Sequence, residues 1–159
     1  MSRDQSRALP PSIIARIGFL HIRIRKECYA LFREQDFPLE MDQIPVLMVL
    51  YYQEEALSQQ DICSTLQRDK ASVNRTISFF TQHDFVRVRP DDTDKRKTRV
   101  ELTPVGKKLG KRASEILEVF ESQLASAFTD AEKNEFDRLI SKLTDSIATP
   151  GTMSAIALI

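Results

Sequence analysis

The chain has 159 residues, of which 42% are hydrophobic and 29% are charged, a composition that excludes collagen-like and disordered chains. Its 23 basic and 23 acidic side chains cancel, so the overall charge points to no polyanionic partner. The charges are nevertheless unevenly distributed, because residues 58–112 hold 13 basic and 7 acidic side chains, whereas residues 113–159 hold 3 and 8. A basic segment in a neutral chain is typical of a polyanion-binding surface. Charge blocks of this size also arise on solvated helices, and charge alone leaves the two readings open.

The chain carries no signal for export or for membrane insertion. No apolar run approaches the roughly 20 residues that span a bilayer, and the leader MSRDQSRALPPS lacks the apolar core of a secretory signal. The two cysteines, Cys28 and Cys63, lack CxxC spacing, which fits a reducing compartment. We therefore expect a cytoplasmic protein without a membrane partner.

Two helices are predicted first along the chain. Ser12 is a suitable cap for a helix that ends near Asp36, because Phe37 precedes Pro38. Its apolar residues recur at spacings of three and four, as in a coiled-coil seam: Ile13, Ile17, Leu20, Ile24, Cys28 and Leu31. The second helix, residues 40–52, is apolar nearly all round, which predicts burial on most sides.

A pair of helices joined by a short polar turn follows. Ser58 is predicted to cap the helix Gln59 to Leu66, with Asp61 completing a variant of the capping box. Asp69 then caps a helix from Lys70 to His83. Such a pair places its second helix in the major groove of DNA.

After Asp84 the apolar period changes from 3.6 to 2, which predicts a hairpin of strands 85–89 and 98–102. Thr103-Pro104 begins a long helix, and Thr129-Asp130 begins the last one. This order predicts a mainly α fold, namely a winged helix-turn-helix lobe with a two-stranded β-hairpin wing, flanked by N- and C-terminal dimerisation helices. We divide the single domain 1–159 into dimerisation helices 12–36 and 108–148, the winged lobe 39–107 and an apolar tail 149–159.

The long apolar stripes of the end helices predict a homodimer, because a domain this small has little core in which to bury them. Packing of three helices within one chain is the alternative. Dimerisation would set two copies of the second helix of the pair about 34 Å apart, which is one turn of DNA.

The predicted DNA-binding surface combines the helix pair with the wing. Opposite Ile77, the second helix presents small or hydrogen-bonding side chains and one arginine, which suit base edges. The start of the pair suits a phosphate oxygen, and a basic hairpin tip suits a minor groove. Asp94 is predicted to hold an arginine of the tip in a fixed pose. The predicted contacts are Ser58, Gln59, Lys70, Ala71, Ser72, Asn74, Arg75, Ser78, Arg87, Arg89, Asp94, Lys95, Arg96, Lys97 and Arg99; Gln82 shares the outer helix face, and Phe79 fits poorly there.

Residues 58–106 resemble the MarR-type (multiple antibiotic resistance regulator) family of transcription factors. The resemblance rests on Asp94-Lys95-Arg96 at the wing tip, on Leu102-Thr103 followed by Gly106, and on the helix start Asp69 to Arg75. The chain departs from the family at Asp84, where glycine is usual, and at Val88, where arginine is common. The resemblance implies a homodimeric repressor on a pseudo-palindromic operator, released by a small aromatic or phenolic effector or by thiol oxidation.

Other functions receive less support from the sequence. No catalytic, metal-binding or cofactor-binding motif is present, so we predict neither enzyme activity nor a cofactor. Cys28 is a redox candidate because Arg25 and Lys26 could lower its pKa, although a cysteine on an apolar stripe is more often core. An effector site is predicted from His21, Arg25, Met41, Ile44 and Met48, the last three being equally explained as core. A winged helix that binds protein instead of DNA is the other alternative.

Overall fold

The computed structural model describes residues 12–53 and 55–147, which are mainly helical with a small antiparallel sheet, as predicted. In chain order the elements are α1 (Ile13–Glu34), α2 (Ile44–Tyr52), β1 (Leu57–Ser58), α3 (Gln59–Leu66), α4 (Lys70–Gln82), β2 (Val86–Pro90), β3 (Thr98–Leu102), α5 (Pro104–Ala125) and α6 (Asp130–Ile147). The chain forms two compact units that divide between Phe37 and Pro38. The predicted tail 149–159 lies outside the described residues.

Helix α1 forms the first unit and is capped by Ser12, whose hydroxyl accepts the Ala15 N–H at 3.5 Å. It ends at Glu34, and Asp36 just beyond it has a left-handed φ of 46°. Cys28 and Phe32 are its buried residues. Ile13, Ile17 and Leu20 of the predicted apolar stripe are exposed, and Ile14 beside it is 84% exposed. Helix α1 therefore presents the apolar surface that the sequence predicts.

Helix α2 supplies much of the core of the second unit, with Val46, Leu47 and Val49 wholly buried. It begins at Ile44 and not at Glu40 as predicted. Pro45 has no N–H to donate to the preceding turn, so helical hydrogen bonding cannot start earlier. The preceding turn is instead held by the Arg68 guanidinium, which donates to the Asp42 carbonyl.

The predicted hairpin of β2 and β3 is confirmed, and a third strand that was not predicted, β1, pairs with β3 to give an antiparallel sheet of order β1-β3-β2. The additional strand pairs Leu57 with Val100 and Ser58 with Arg99. Its two residues are too few to show an alternating pattern in the sequence. Because β1 leads directly into α3, the third strand ties the base of the wing to the helix pair.

The wing closes onto the end of α4 through Thr103. The Thr103 N–H donates to the Phe85 carbonyl at 3.0 Å, and the Thr103 hydroxyl donates to the Asp84 carbonyl. The same hydroxyl caps α5 by accepting the Gly106 N–H at 3.0 Å. Asp84 has a φ of 57°, which explains why glycine suits this position and why aspartate is tolerated. The Leu-Thr-x-x-Gly motif therefore joins the wing, α4 and α5.

The two C-terminal helices differ in how much of their own surface is buried. The first half of α5 buries Leu109, Ala113 and other small residues, whereas its second half and α6 are largely exposed. No residue of α6 is buried, and Phe136 is 49% exposed. Thr129 and Glu132 form a capping box at the start of α6, as Thr129-Asp130 predicts. No helix within the described ranges is long and apolar enough to cross a membrane.

Candidate nucleic-acid interface

The start of α3 is fixed by a complete capping box. The Ser58 hydroxyl donates to the Asp61 carboxylate at 2.6 Å and accepts the Asp61 N–H at 3.1 Å. The hydrogen bond from Ser58 lowers the pKa of Asp61, so this carboxylate is ionised at neutral pH. The Ser58 hydroxyl, predicted as a phosphate contact, is thus already engaged. What α3 offers a phosphate is the backbone N–H groups of its first turn other than that of Asp61, which the Ser58 hydroxyl accepts.

The turn between α3 and α4 sets where the second helix begins. Gln67 ends α3 with a left-handed φ of 51°, and Asp69 caps α4 by accepting the Ser72 N–H at 2.8 Å. Gln59 and Asn74, both predicted contacts, are joined across the pair by a 3.4 Å hydrogen bond. The pair is therefore connected at its predicted DNA-facing side as well as in its core.

The outer face of α4 is the one predicted. Val73, Thr76, Ile77 and Phe80 are the buried residues of the helix; Thr76, only 5% exposed, was not predicted as core. The exposed predicted residues are Lys70, Ala71, Asn74, Arg75, Ser78 and Gln82, with Ser72 half-buried. This face is mainly polar and carries no large apolar side chain, so it can approach base edges closely.

Phe79, which fits poorly on a polar outer face, lies in an aromatic stack at the end of α4. Its ring stacks on His83 with centroids 4.1 Å apart, and His83 in turn stacks on Phe85 at 5.8 Å. His83 Nδ1 also lies 2.9 Å from the Phe79 carbonyl oxygen. Phe79 therefore packs against His83 at the end of α4 and does not belong to the polar face.

The arginines along the wing strands are paired with acids. Arg87 lies 3.7 Å from Glu101, its register partner on β3. Arg89 lies 3.0 Å from Asp92 and 3.6 Å from Glu101. The sequence alone does not reveal this pairing, because Glu101 meets both arginines only in the strand register. The strands therefore contribute less free positive charge than their composition indicates.

At the wing tip, Asp91 is a buried acid that was not among the predicted contacts. Its Oδ1 accepts the Thr93 hydroxyl at 2.7 Å, the Thr93 N–H at 2.8 Å and the Asp94 N–H at 3.0 Å. Its Oδ2 accepts Arg99 Nε. The hydrogen bonds from the Thr93 side chain and Arg99 hold the pKa of Asp91 far below its usual range. Arg99, predicted as a DNA contact, is therefore engaged within the protein.

Asp94 holds the backbone of the tip and not the side chain of an arginine, which corrects the prediction. Its Oδ1 accepts the Arg96 N–H at 3.1 Å, and its Oδ2 lies 3.9 Å from Lys97 Nζ. The reason is the tight turn, in which the Lys97 N–H donates to the Asp94 carbonyl at 2.8 Å and brings these groups to one carboxylate.

Within the set of predicted DNA contacts, four exposed cations form no ion pair with another described residue: Lys70, Arg75, Lys95 and Arg96. We call these side chains the unpaired cations. Two begin or line the outer face of α4, and two lie at the wing tip. They occupy the two elements that contact DNA in winged helix-turn-helix proteins, the helix entering the major groove and the wing beside it.

None of the predicted effector residues lines either of two clefts that border α5. Ile44 and Met48 are buried in the core, Met41 is half-buried, and His21 and Arg25 are exposed on α1. The larger cleft, about 710 Å³, lies between the end of α2, β3 and α5. Its wall includes the Tyr52 hydroxyl, which lies 3.0 Å from Ser114 Oγ.

Burial raises the pKa of the Cys28 thiol, which favours the core alternative over a pKa lowered by Arg25 and Lys26. Cys63 is buried in α3, as expected for a core residue. We therefore expect both thiols of the native protein to react at least about tenfold more slowly with Ellman's reagent at neutral pH than in the unfolded chain. A Cys63→Ala variant assigns the remaining signal to Cys28. A native rate equal to the unfolded rate would contradict this expectation.

The fold defines a class, the winged helix-turn-helix proteins. Residues 36–97 match the MarR family model. Two solved structures are similar. A MarR/EmrR family transcriptional regulator from Acinetobacter sp. ADP1 is 28% identical, with 84% of this chain and 93% of that chain covered and a TM-score of 0.73. A MarR transcriptional regulator from Methanosarcina mazei Go1 is 25% identical, with 84% of this chain and 94% of that chain covered and a TM-score of 0.73. The chain therefore has the winged helix-turn-helix fold of these regulators, and its residues 36–97 are similar to the MarR family.

A DNA complex shares the same fold. The crystal structure of a Staphylococcus aureus MepR–DNA complex covers 87% of this chain and 100% of the MepR chain, with 21% identity and a TM-score of 0.77. Among curated protein sequences, none matches this chain.

Proposed function

We propose that this protein is a homodimeric, sequence-specific transcriptional repressor that binds a pseudo-palindromic operator in double-stranded DNA. The observation that carries the proposal is the location of the unpaired cations, on the outer face of α4 and at the tip of the wing. Both elements belong to one lobe, joined through the three-stranded sheet and Thr103. A protein-binding winged helix would not require free positive charge on both elements.

Each part of the interface has its own role in the proposal. Arg75 on α4 reads a guanine in the major groove, where a bidentate contact discriminates between bases. Ser72, Asn74 and Ser78 contact base edges or phosphates beside it, and Lys70 with the start of α3 contacts the backbone. Arg96 and Lys95 occupy the minor groove, where the potential is most negative.

The dimer is proposed from apolar surface. Helix α1 exposes Ile13, Ile14 and Ile22, and helix α6 exposes Phe136 and Leu139. A monomer in water would leave these faces solvated, and a second copy of the chain would cover them by symmetry. Two lobes held in this way would meet successive major grooves of one duplex.

Release by a small effector completes the proposal. The cleft of about 710 Å³ lies where the winged lobe joins α5, so a ligand there would act at the junction of the DNA-binding lobe and the proposed dimer helix. The site predicted from His21, Arg25, Met41, Ile44 and Met48 would require the core around Ile44 and Met48 to open. Of the two effector mechanisms, a bound ligand is favoured over thiol oxidation because Cys28 is buried and its pKa is raised.

Selection of DNA by the purified protein tests the proposed function. Bound duplexes recovered from a random-sequence pool are expected to share an inverted repeat whose half-sites are about one helical turn apart. Sedimentation equilibrium should give twice the mass of 18.2 kDa. A recovered pool without any shared motif, or a monomer at micromolar concentration, would contradict the proposal.

A further inference from the structure

Asp91 is the one charged side chain that is buried among the described residues, with 4% of its surface exposed. Its neighbour Asp92 is a natural contrast, since 81% of the Asp92 side chain is exposed. Asp91 accepts hydrogen bonds from the loop through one carboxylate oxygen and from Arg99 through the other. The wing tip therefore folds around a negative charge on a surface that the proposed function places against DNA.

Arg99 extends this interaction away from the tip. While its Nε donates to Asp91, its Nη1 lies 3.6 Å from Asp61 Oδ2 and 3.4 Å from the Ala56 carbonyl oxygen. Asp61 is the carboxylate that caps α3 with Ser58. A continuous set of charged hydrogen bonds and ion pairs thus connects the loop carrying Arg96 to the first turn of the helix pair.

We propose that Asp91 is a positioning residue for DNA binding, which acts through Arg99 to hold the wing tip at a fixed place beside α3. With the tip fixed, Arg96 enters the minor groove of the same duplex whose major groove holds α4. This inference rests on the proposed function. It also assigns Arg99 to the wing's internal support and not to a phosphate.

The proposal predicts a change in DNA affinity opposite to the change that charge alone would cause when Asp91 is neutralised. Removing a negative charge from a DNA-facing surface reduces repulsion of the phosphates, so neutralisation by itself should tighten binding. In Asp91→Asn the loop can still donate to the amide oxygen, but the amide N–H groups face the guanidinium donors of Arg99. The tip then loses its anchor, and we expect weaker binding although the protein has become more positive.

Fluorescence anisotropy with a labelled duplex selected by the wild-type protein measures whether neutralising Asp91 weakens or tightens DNA binding. Asp91→Asn is expected to weaken binding by about tenfold through loss of the wing contacts. Asp92→Asn, the matched control, removes the same charge from an exposed neighbour and should bind as tightly as the wild type or more tightly. Hydroxyl-radical footprints of Asp91→Asn should lose the flanking protection from the wing and keep the protection from α4.

A double-mutant cycle tests whether Arg99 acts through Asp91 or contacts a DNA phosphate directly. If Arg99 acts through Asp91, then adding Asp91→Asn to Arg99→Gln changes affinity little beyond the single variant. If Arg99 instead contacts a phosphate, the two losses multiply. If circular dichroism shows that Asp91→Asn does not fold, Arg99→Lys tests the proposal instead, because lysine keeps the charge but lacks the Nε donor. We expect Arg99→Lys to weaken DNA binding and to lose the flanking protection.

Equal affinity of Asp91→Asn and Asp92→Asn, or unchanged binding by Arg99→Lys, would overturn the positioning role while leaving the proposed function intact. A wild-type protein that binds no duplex at all would overturn the proposed function and this inference together. If the affinity losses of Asp91→Asn and Arg99→Gln multiply in the double variant, the assignment of Arg99 to the internal support of the wing would be overturned.

Discussion

Gly106→Ala is expected to lower the free energy of unfolding by about 3 kcal/mol, the upper end for overpacking at a site that cannot relax. A Cβ at Gly106 would lie 1.9 Å from the Phe85 carbonyl oxygen and 2.9 Å from its carbon. The same carbonyl oxygen accepts the Thr103 N–H, so separating the two segments breaks the junction of α4, the wing and α5. In thermal unfolding we expect the midpoint to fall by roughly 6–12 °C.

Gly18→Ala is the matched control for this substitution. Gly18 also lies within a helix, but a Cβ there would meet no atom within 4 Å. Because alanine favours the helix over glycine, we expect Gly18→Ala to be neutral or to stabilise the protein by about 0.5–1 kcal/mol. Two variants of equal stability would show that helix propensity and not the contact with Phe85 governs position 106.

Arg75→Ala and Arg96→Ala are expected to weaken DNA binding by about tenfold to a hundredfold each, but with different effects on sequence preference. Arg75 lies on the outer face of α4, so its loss should relax the preference at one base pair of each half-site. Arg96 lies at the wing tip, so its loss should weaken binding to every duplex to a similar degree. Affinities measured on the selected duplex and on its single-base variants separate the two.

Lys111→Ala serves as the charge-matched control, because Lys111 is exposed on α5 and lies 3.8 Å from Glu115. It should leave both affinity and preference nearly unchanged. The same specificity profile for Arg75→Ala and Arg96→Ala would contradict the separate roles of helix and wing. A loss in Lys111→Ala as large as theirs would indicate that net charge alone governs binding.

Local signals in the sequence predicted much of the fold. Ser58, Asp69 and Thr103 cap helices where the side-chain chemistry indicates, and the bounds of α3 agree with the prediction. The outer face of α4 followed from its helical period, since Ile77 is buried and Arg75 is exposed. These features depend on residues three or four positions apart, which a single sequence displays directly.

The missed features depend on contacts between segments far apart in the sequence. Glu101 meets Arg87 and Arg89 only through the register of β2 with β3. The strand β1 is too short to carry a periodic signal and exists because β3 provides a partner. Asp91 looks like one of several acids in a polar turn until the fold places Arg99 beside it.

The dependence of DNA affinity on salt tests the central claim most directly. If the unpaired cations of two chains displace counterions from the duplex, affinity for the selected duplex should fall by about four orders of magnitude between 50 and 200 mM salt. The slope should become shallower in Arg96→Ala, which lacks one such contact in each chain. An affinity that does not change with salt, or a slope that Arg96→Ala leaves unaltered, would contradict the account of a DNA-binding surface made by α4 and the wing.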